Sequence, residues 1–360
     1  MPIKVNILTN NSCPNSKAFN CPLLVSKPYF HEKGFSLDFH WKISDNIFNC
    51  DILFINSNVF RTYWQNNKSY IFNLLEKAVS KKLKILWFDT TDSTWCTQFE
   101  VLPYVDRFLK SHIFREKKSY FQKFKTGRIF TDSFDALYQS EEKTENYPLP
   151  AEDHINKLGI SWTPCFEQYD ENRYSLGRKL LNYTRPYLSE YLPCKLTLDF
   201  TPVLKDRPFA ISARFGLSHS RPSVVAHRKA IVSTLAKRNC DCRRVTLKTY
   251  FAEMRNARIS VSPFGVGEFC YRDFESIICG TTLLKPDMSH LETWPDFYQN
   301  SSTCVFHKWD LTDLDEKIDF LLSNTGKRIE IAENAQKTYK DAVSPEGFAN
   351  FADRLIGIIR

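Results

Sequence analysis

Glycine is scarce in this chain, 11 among 360 residues, yet Gly216, Gly265, Gly267 and Gly280 all fall within 65 positions. Where glycine is rare, each one answers a backbone need, such as positive φ or close approach to a ligand. Ile259 to Ser262 reads as a strand, runs into Pro263-Phe-Gly-Val-Gly-Glu268, and gives way to a helix from about Arg272. A glycine-bearing loop between a strand's C-terminal end and a helix N-terminus presents unbonded backbone N–H groups. With the helix dipole it makes an anion site. Arg272 would aim a fixed cation at a diphosphate there. Glu275, three residues on and on the same helix face, is placed to accept both hydroxyls of a ribose. The same spacing allows a plainer arrangement, an Arg–Glu surface ion pair opening a helix, with the glycines serving only the turn.

Such a site needs an open α/β sheet behind it, since ligands bind at the C-terminal edge of parallel strands. The first half supplies alternating strands and helices. Ile3 to Leu8, Phe35 to Ile43, Asp51 to Asn56 and Lys84 to Phe88 read as strands, the last two as runs buried on both faces. Tyr70 to Lys82 has helical spacing of Ile71, Leu74, Leu75, Ala78 and Val79. Residues 140 to 152 read as an exposed loop, Tyr174 to Leu192 as a helix, and Leu196 to Arg207 as a linker. A second series follows. Strands are expected at Phe209 to Arg214, Val245 to Thr249, Ile259 to Ser262, Thr282 to Lys285 and Cys304 to Phe306. Helices are expected at His227 to Lys237, Ala252 to Ala257, Phe274 to Cys279, Asp313 to Leu322, Glu330 to Asp341 and Gly347 to Ile359. Asp313 and Glu316 have capping-box spacing. Strand–helix alternation of this kind argues for mainly parallel sheets.

The run Tyr250-Phe-Ala-Glu-Met-Arg-Asn-Ala-Arg-Ile-Ser-Val-Ser-Pro-Phe-Gly-Val-Gly267, then Tyr271-Arg-Asp-Phe-Glu-Ser-Ile-Ile-Cys-Gly-Thr-Thr-Leu-Leu-Lys-Pro286, resembles the donor-binding region of exostosin-like and related GT-B glycosyltransferases. The resemblance is specific over about 40 residues. It implies an α/β fold of two Rossmann-like domains facing a cleft. Residues 1–195 would be the acceptor-binding domain, 196–207 the linker and 208–345 the nucleotide-sugar donor domain. Residues 346–360 would form a final helix crossing back onto the first domain. It implies phosphate and ribose contacts for Arg272 and Glu275, with Gly265 and Gly267 in the donor loop. Arg214, ending the first strand of the second domain, would be a basic residue on the phosphates, and Arg228 could assist. Glu268 and Glu275 are seven apart, one residue closer than the glutamate pair of better-known relatives, so Glu268 departs from the pattern. On the acceptor side, an inverting transferase needs a carboxylate or His to take a hydroxyl proton. Asp92 is favoured for that, with Asp89 the other candidate, unless both merely cap their loop. Tyr104-Val-Asp-Arg-Phe-Leu-Lys110 also resembles a segment of bacterial-type GT-B sugar transferases.

The implied activity is transfer of a sugar from a nucleotide-sugar to a glycan or glycolipid acceptor, such as a lipid-linked oligosaccharide. No metal and no other cofactor are expected, since arginines and a helix N-terminus meet the phosphate charge. Asp313-Leu-Asp315 has the form of a metal motif but sits where a helix begins. The eleven cysteines are scattered and odd in number, and Cys240-Asp-Cys242 lacks zinc-site spacing. The surplus of 49 basic over 41 acidic residues, a net charge of +8, suits phosphate-bearing ligands or peripheral contact with an anionic membrane. No nucleic-acid-binding signature is present, so no nucleic acid partner is expected. No apolar run reaches the roughly 18 residues of a membrane helix, and the start lacks a signal-peptide pattern, so a cytoplasmic location is expected. Thr9 to Lys17 contains no glycine, which argues against a nicotinamide dehydrogenase. A catalytically inactive GT-B-like scaffold or sugar-nucleotide-binding regulator is the remaining alternative.

Overall fold

The computed structural model describes residues 1–95, 98–171, 175–177, 180, 183–184 and 194–360. The first half is built on a six-stranded sheet. Its strands in chain order are β1 (Ile3–Leu8), β2 (Phe35–His40), β3 (Ile52–Asn56), β4 (Lys84–Asp89), β5 (Arg107–Lys110) and, after the short β6 (His112–Phe114), β7 (Leu158–Ile160). The spatial order is β2-β1-β3-β4-β5-β7, and every pairing is parallel. Strand β3 (ILFIN) is buried throughout and β4 (KILWFD) nearly so, as apolar runs covered on both faces must be. The chain steps outward from β1 to β2 and then returns to the other side of β1 for β3. That reversal opens a crevice at the strands' C-terminal ends.

Helices α1 (Pro14–Val25), α2 (Lys27–Glu32), α3 (Arg61–Asn66), α4 (Lys68–Ser80) and α5 (Ile129–Tyr138) serve the first half. On α4 the buried residues are Ile71, Leu74, Leu75 and Ala78, the expected stripe, with the helix starting two residues early because Asn67 caps it through its side chain. The strand expected to Ile43 stops at His40. Most of the helix expected over Tyr174 to Leu192 lies outside the described residues. Residues 140–150 carry no regular structure, as expected, but they are not a free loop. Glu142 is buried and accepts from the backbone N–H (3.0 Å) and hydroxyl (2.5 Å) of Ser223 in the second half.

The second half has a four-stranded parallel sheet ordered β12-β10-β9-β8. Its strands are β8 (Phe209–Ser212), β9 (Ala257–Val261), β10 (Thr282–Pro286) and β12 (Val305–His307). Its helices are α6 (Pro222–Ala236), α7 (Leu247–Arg255), α8 (Tyr271–Ile278), α9 (Leu314–Ser323) and α10 (Thr325–Ala342). The strand expected at Val245 to Thr249 does not form. The Thr246 side chain accepts from Thr249 N–H at 3.2 Å and caps α7 instead, so a helix start outweighs the β-branched residues. Asp313 makes no cap. Its carboxylate accepts from Lys308 N–H at 2.7 Å, and Asp315 pairs with Arg238 at 2.6 Å, so both acids of the Asp-x-Asp sequence serve structural contacts.

Two elements of regular structure also join the halves. Strand β11 (Leu291–Thr293) pairs antiparallel with β6, Thr293 opposite His112. The last helix, α11 (Pro345–Ile359), crosses back onto the first half: Ser26 Oγ donates to Phe348 O at 3.1 Å, and the Phe351 ring lies 4.9 Å from Trp162. Its inner face, Phe348, Phe351, Leu355, Ile356 and Ile359, is buried. The fold is therefore two Rossmann-like parallel sheets facing one cleft, with a terminal helix returning to the first. All ten described cysteines are free, and no helix among the described residues is long and apolar enough to cross a membrane.

Candidate active site

One cavity of about 810 Å³ lies in the cleft, at the C-terminal ends of strands from both sheets. Asp89, Asp92, Arg214, Arg228, Gly265, Gly267, Arg272 and Glu275 all line it, so the structure gathers residues chosen from positions up to 186 apart. It does not give them equal freedom.

The wall from the second half is α8 and the loop before it. Asp273 fixes this helix from below. Its buried carboxylate accepts from Cys270 N–H (3.1 Å), Ser262 Oγ (2.5 Å) and Tyr298 Oη (2.9 Å), and pairs with buried Lys285 at 3.0 Å. With Asp273, Phe274 and Ile277 buried, the opposite face carries Arg272 and Glu275 to the cavity. Arg272 is half-buried. One Nη donates to the Arg214 carbonyl at 2.6 Å, the guanidinium sits 5.7 Å over the Phe215 ring, and Nε has no partner among the described residues. Glu275 accepts from the Tyr250 phenol at 2.5 Å. Tyr250, on α7, also lines the cavity.

The other arginines differ. Arg214 donates to Glu253 at 2.6 and 2.8 Å and pairs with Asp241 at 2.9 Å, which holds its pKa above the ordinary arginine value. Arg228 donates to the carbonyls of Gly216 (2.8 Å) and Phe264 (2.9 Å), fixing the two loops that border the cavity. Arg244 lies exposed on the rim and makes no hydrogen bond or ion pair among the described residues. Its guanidinium fills the space where a Cβ on Gly216 would stand, 2.4 Å away.

The loop glycines divide similarly. Neither Gly265 nor Gly267 has positive φ. Around Gly265 a Cβ would meet only ordinary contacts, the nearest at 3.5 Å. At Gly267 it would stand 1.6 Å from the backbone oxygen of Asp92, so glycine there permits the two halves to touch.

The facing wall comes from the loop after β4 and the start of α1. A polar network at the strand ends sets that loop: Thr90 Oγ1 donates to Asn56 Oδ1 at 2.8 Å, Thr90 N–H to Ser57 Oγ at 3.0 Å, and Asn56 Nδ2 to Thr9 Oγ1 at 3.0 Å. Asp89 is buried and paired with buried Lys110 at 3.2 Å, while also accepting from Thr91 N–H at 2.9 Å. Asp92 is exposed to the cavity. It accepts from Asn15 Nδ2 at 2.8 Å, and Asn15 in turn accepts from Tyr271 Oη at 3.0 Å, a bridge between the halves. Below it lies a group not singled out from the sequence. His112 is buried, with Nδ1 2.8 Å from Ser111 Oγ and Nε2 3.2 Å from Glu268 Oε2.

No protein-family model matches this chain, and no curated protein matches it in sequence. Among solved structures it is similar to an alpha-glucosyltransferase in complex with UDP and a 13-mer DNA containing a HMU base, at 11% identity and TM-score 0.44 over 100% of both chains. It is also similar to Anabaena Alr3699/HepE in complex with UDP-glucose, at 10% identity and TM-score 0.45 over 99% of each chain. A third is a glycosyltransferase from Rickettsia africae ESF-5, at 12% identity and TM-score 0.46 over 99% of this chain and 98% of that one. At such identities and scores the likeness extends to the course of the chain alone, and the chemistry must be argued from the cavity.

The residues missed from sequence had weak local signals. Ser111-His112 directly follows the buried strand β5 at its C-terminal end, where ligand-facing groups gather in a parallel sheet. Tyr250 begins the very run that carries the family resemblance. Arg244 sits in a basic, otherwise featureless stretch, and only the folded chain shows that it borders the cavity.

Proposed function

We propose that this protein is a glycosyltransferase that moves a sugar from a nucleotide-sugar donor to a glycan or glycolipid hydroxyl, without a metal ion. The observation that carries this reading is the convergence on one cavity of Arg272 and Glu275 from α8 with Asp92 and Asn15 from the facing half. In the proposed arrangement the diphosphate lies against the first turn of α8, with Arg272 and rim residue Arg244 as its cations. Arg214 braces the site, because Glu253 and Asp241 occupy its guanidinium. Glu275, oriented by Tyr250, takes the ribose hydroxyls. Asp92 faces the acceptor. The acceptor class rests on the family resemblance and the basic charge, which also suits work at an anionic membrane surface on its cytoplasmic side.

The test is calorimetric titration of nucleoside diphosphates in EDTA into wild type, Arg272→Ala and Glu275→Gln. A charge-assisted contact to phosphate is worth about 1.5–3 kcal/mol, so Arg272→Ala should weaken binding about tenfold to a hundredfold. Glu275→Gln should cost less, and chelation nothing. Unchanged affinity in both variants with a collapsed melting temperature would identify the pair as structural. Loss of wild-type binding in EDTA, restored by manganese, would refute the metal-independent reading. Binding without transfer to glycan, lipid-linked or DNA acceptors would favour a sugar-nucleotide-binding regulator.

A further inference from the structure

This inference rests on the transferase reading and concerns where the acceptor's proton goes. Asp89 is committed to Lys110 in a buried ion pair. Beneath Asp92 runs a chain of three polar groups drawn from both halves. Ser111 is half-buried and lines the cavity. Its Oγ is 2.8 Å from His112 Nδ1, and His112 Nε2 is 3.2 Å from Glu268 Oε2. Glu268 follows the donor loop of the second half, is 1% exposed, and accepts through the same oxygen from Thr94 N–H at 3.1 Å. A carboxylate accepting from a backbone N–H and facing an imidazole is in its acceptor state, so Nε2 carries the imidazole proton. In neutral imidazole that leaves Nδ1 as the acceptor, and Ser111 Oγ–H donates to it.

We infer that Ser111, His112 and Glu268 relay the acceptor proton out of the cavity. As the acceptor oxygen bonds to the anomeric carbon, the bond from that carbon to the diphosphate oxygen breaks. Its electron pair leaves with the nucleoside diphosphate. The acceptor proton passes to Ser111 Oγ while the proton of Ser111 passes to His112 Nδ1. Glu268 stabilises the resulting imidazolium through Nε2–H, and the extra proton is lost to water after products leave. Ser111 and His112 end as they began. Displacement assisted in this way proceeds from the face opposite the leaving group, so the anomeric configuration inverts.

The electrostatics suit a relay. Burial pulls the His112 pKa below the ordinary histidine value, against the pull of Glu268, so the ring is neutral and able to accept. Burial pushes the Glu268 carboxyl up, but hydrogen bonds from His112 and from Thr94 N–H oppose it and hold the group below the ordinary glutamate value. The other charged groups acting on the pair are Lys110 from the adjoining strand, Asp92 from the loop after β4, His290 before β11, and Arg128, which acts on Glu268.

The experiment uses a panel of UDP-, GDP- and dTDP-hexoses with water as acceptor, reading released nucleoside diphosphate against pH. The variants are Ser111→Ala, His112→Gln, Glu268→Gln and Asp92→Asn. His112→Gln should lower turnover about a hundredfold to ten-thousandfold. Ser111→Ala should lower it less and leave the acid limb in place. Glu268→Gln should lower the plateau and move the acid limb to lower pH, since the group that raises the histidine pKa is gone. Nucleoside diphosphate affinity should stay within about twofold in all of them. The relay is overturned if His112→Gln and Ser111→Ala turn over like wild type, if Asp92→Asn alone abolishes turnover, or if the product sugar keeps its configuration. Should Glu268→Gln unfold, Ser111→Ala and the acid limb of wild type decide the matter. A wild type that binds no nucleoside diphosphate, or that binds donor without turning it over, would instead count against the transferase reading itself.

Discussion

Substitution of Gly267 by alanine tests whether the cleft is closed as described. The added Cβ would stand 1.6 Å from the Asp92 carbonyl oxygen and 2.4 Å from its carbon, whereas real Cβ atoms essentially never come under 3.0 Å. Both obstacles are backbone and cannot rotate aside. The donor loop and the loop after β4 must therefore part by about 1.4 Å. Thr94 N–H to Glu268 at 3.1 Å and His112 to Glu268 at 3.2 Å span the same seam, and such a shift carries both past hydrogen-bonding range. Bonds to a charged group contribute about 1.5–3 kcal/mol each, so the loss should reach about 3–6 kcal/mol, a large share of an ordinary domain's stability. Gly265→Ala is the matched control. Its nearest contacts are 3.5 and 3.6 Å and its φ is not positive, so it should change stability by no more than about 0.5 kcal/mol. Urea denaturation midpoints and nucleoside diphosphate affinity should separate the two variants widely. Equal midpoints and equal affinities would refute the contact between Gly267 and Asp92, and with it the closed cleft.

Two further outcomes follow from buried ionisable groups. His227 is stacked 3.8 Å from the Phe134 ring, and burial, aided by His307, pulls its pKa down to about 3; burial pulls His307 to about 4. Both values lie below the roughly 6.5 of an unfolded histidine, so between them the unfolded chain binds more protons. Their contribution is full above about pH 6.5 and is lost as pH falls toward 4 and then 3, at about 1.4 kcal/mol per pH unit for each ring. Stability should fall from pH 7 to pH 4.5, and His227→Phe should reduce that fall by about 1.4 kcal/mol per pH unit; an unchanged slope counts against the assignment. Lys110→Met should cost about 3–5 kcal/mol by removing the cation beside buried Asp89, and adding Asp89→Asn should recover much of it. A mild single variant would return Asp89 to candidacy as a base.

The elements that proved legible in the sequence are those whose signal is local. The run DILFIN and the run KILWF had to be buried parallel strands, and the stripe from Ile71 to Ala78 had to be a helix face. That Arg272 and Glu275 share one helix face was legible for the same reason, since they lie one helical turn apart behind a glycine loop. The failures have a common physical source. Thr246 is β-branched and reads as strand until its hydroxyl is seen to cap α7. Glu142 and Glu145 read as a solvated loop because Arg221 and Ser223, which make them an interdomain clasp, lie far along the chain.

Charge availability is the property that local pattern conveys least. Position put Arg272 first for a phosphate with Arg214 and Arg228 behind it, and Asp92 ahead of Asp89 for a base, but it could not show which of these charges is already engaged. Distant partners separate them: Glu253 and Asp241 occupy Arg214, two loop carbonyls hold Arg228, and Lys110 holds Asp89. Among the described residues, those facing the cavity include Arg272 and Glu275 on α8, Arg244 on the rim, Asp92, and Ser111 with the His112–Glu268 pair behind it. Arg272 and Arg244 thus lie on the second-half wall, and Asp92, Ser111 and His112 on the first-half side. That arrangement suits the proposed transfer, in which negative charge would develop on a leaving diphosphate while a proton departs from the acceptor. The contact that brings the two walls together is Gly267 against Asp92, which is why one methyl group there should disturb donor binding and proton transfer together.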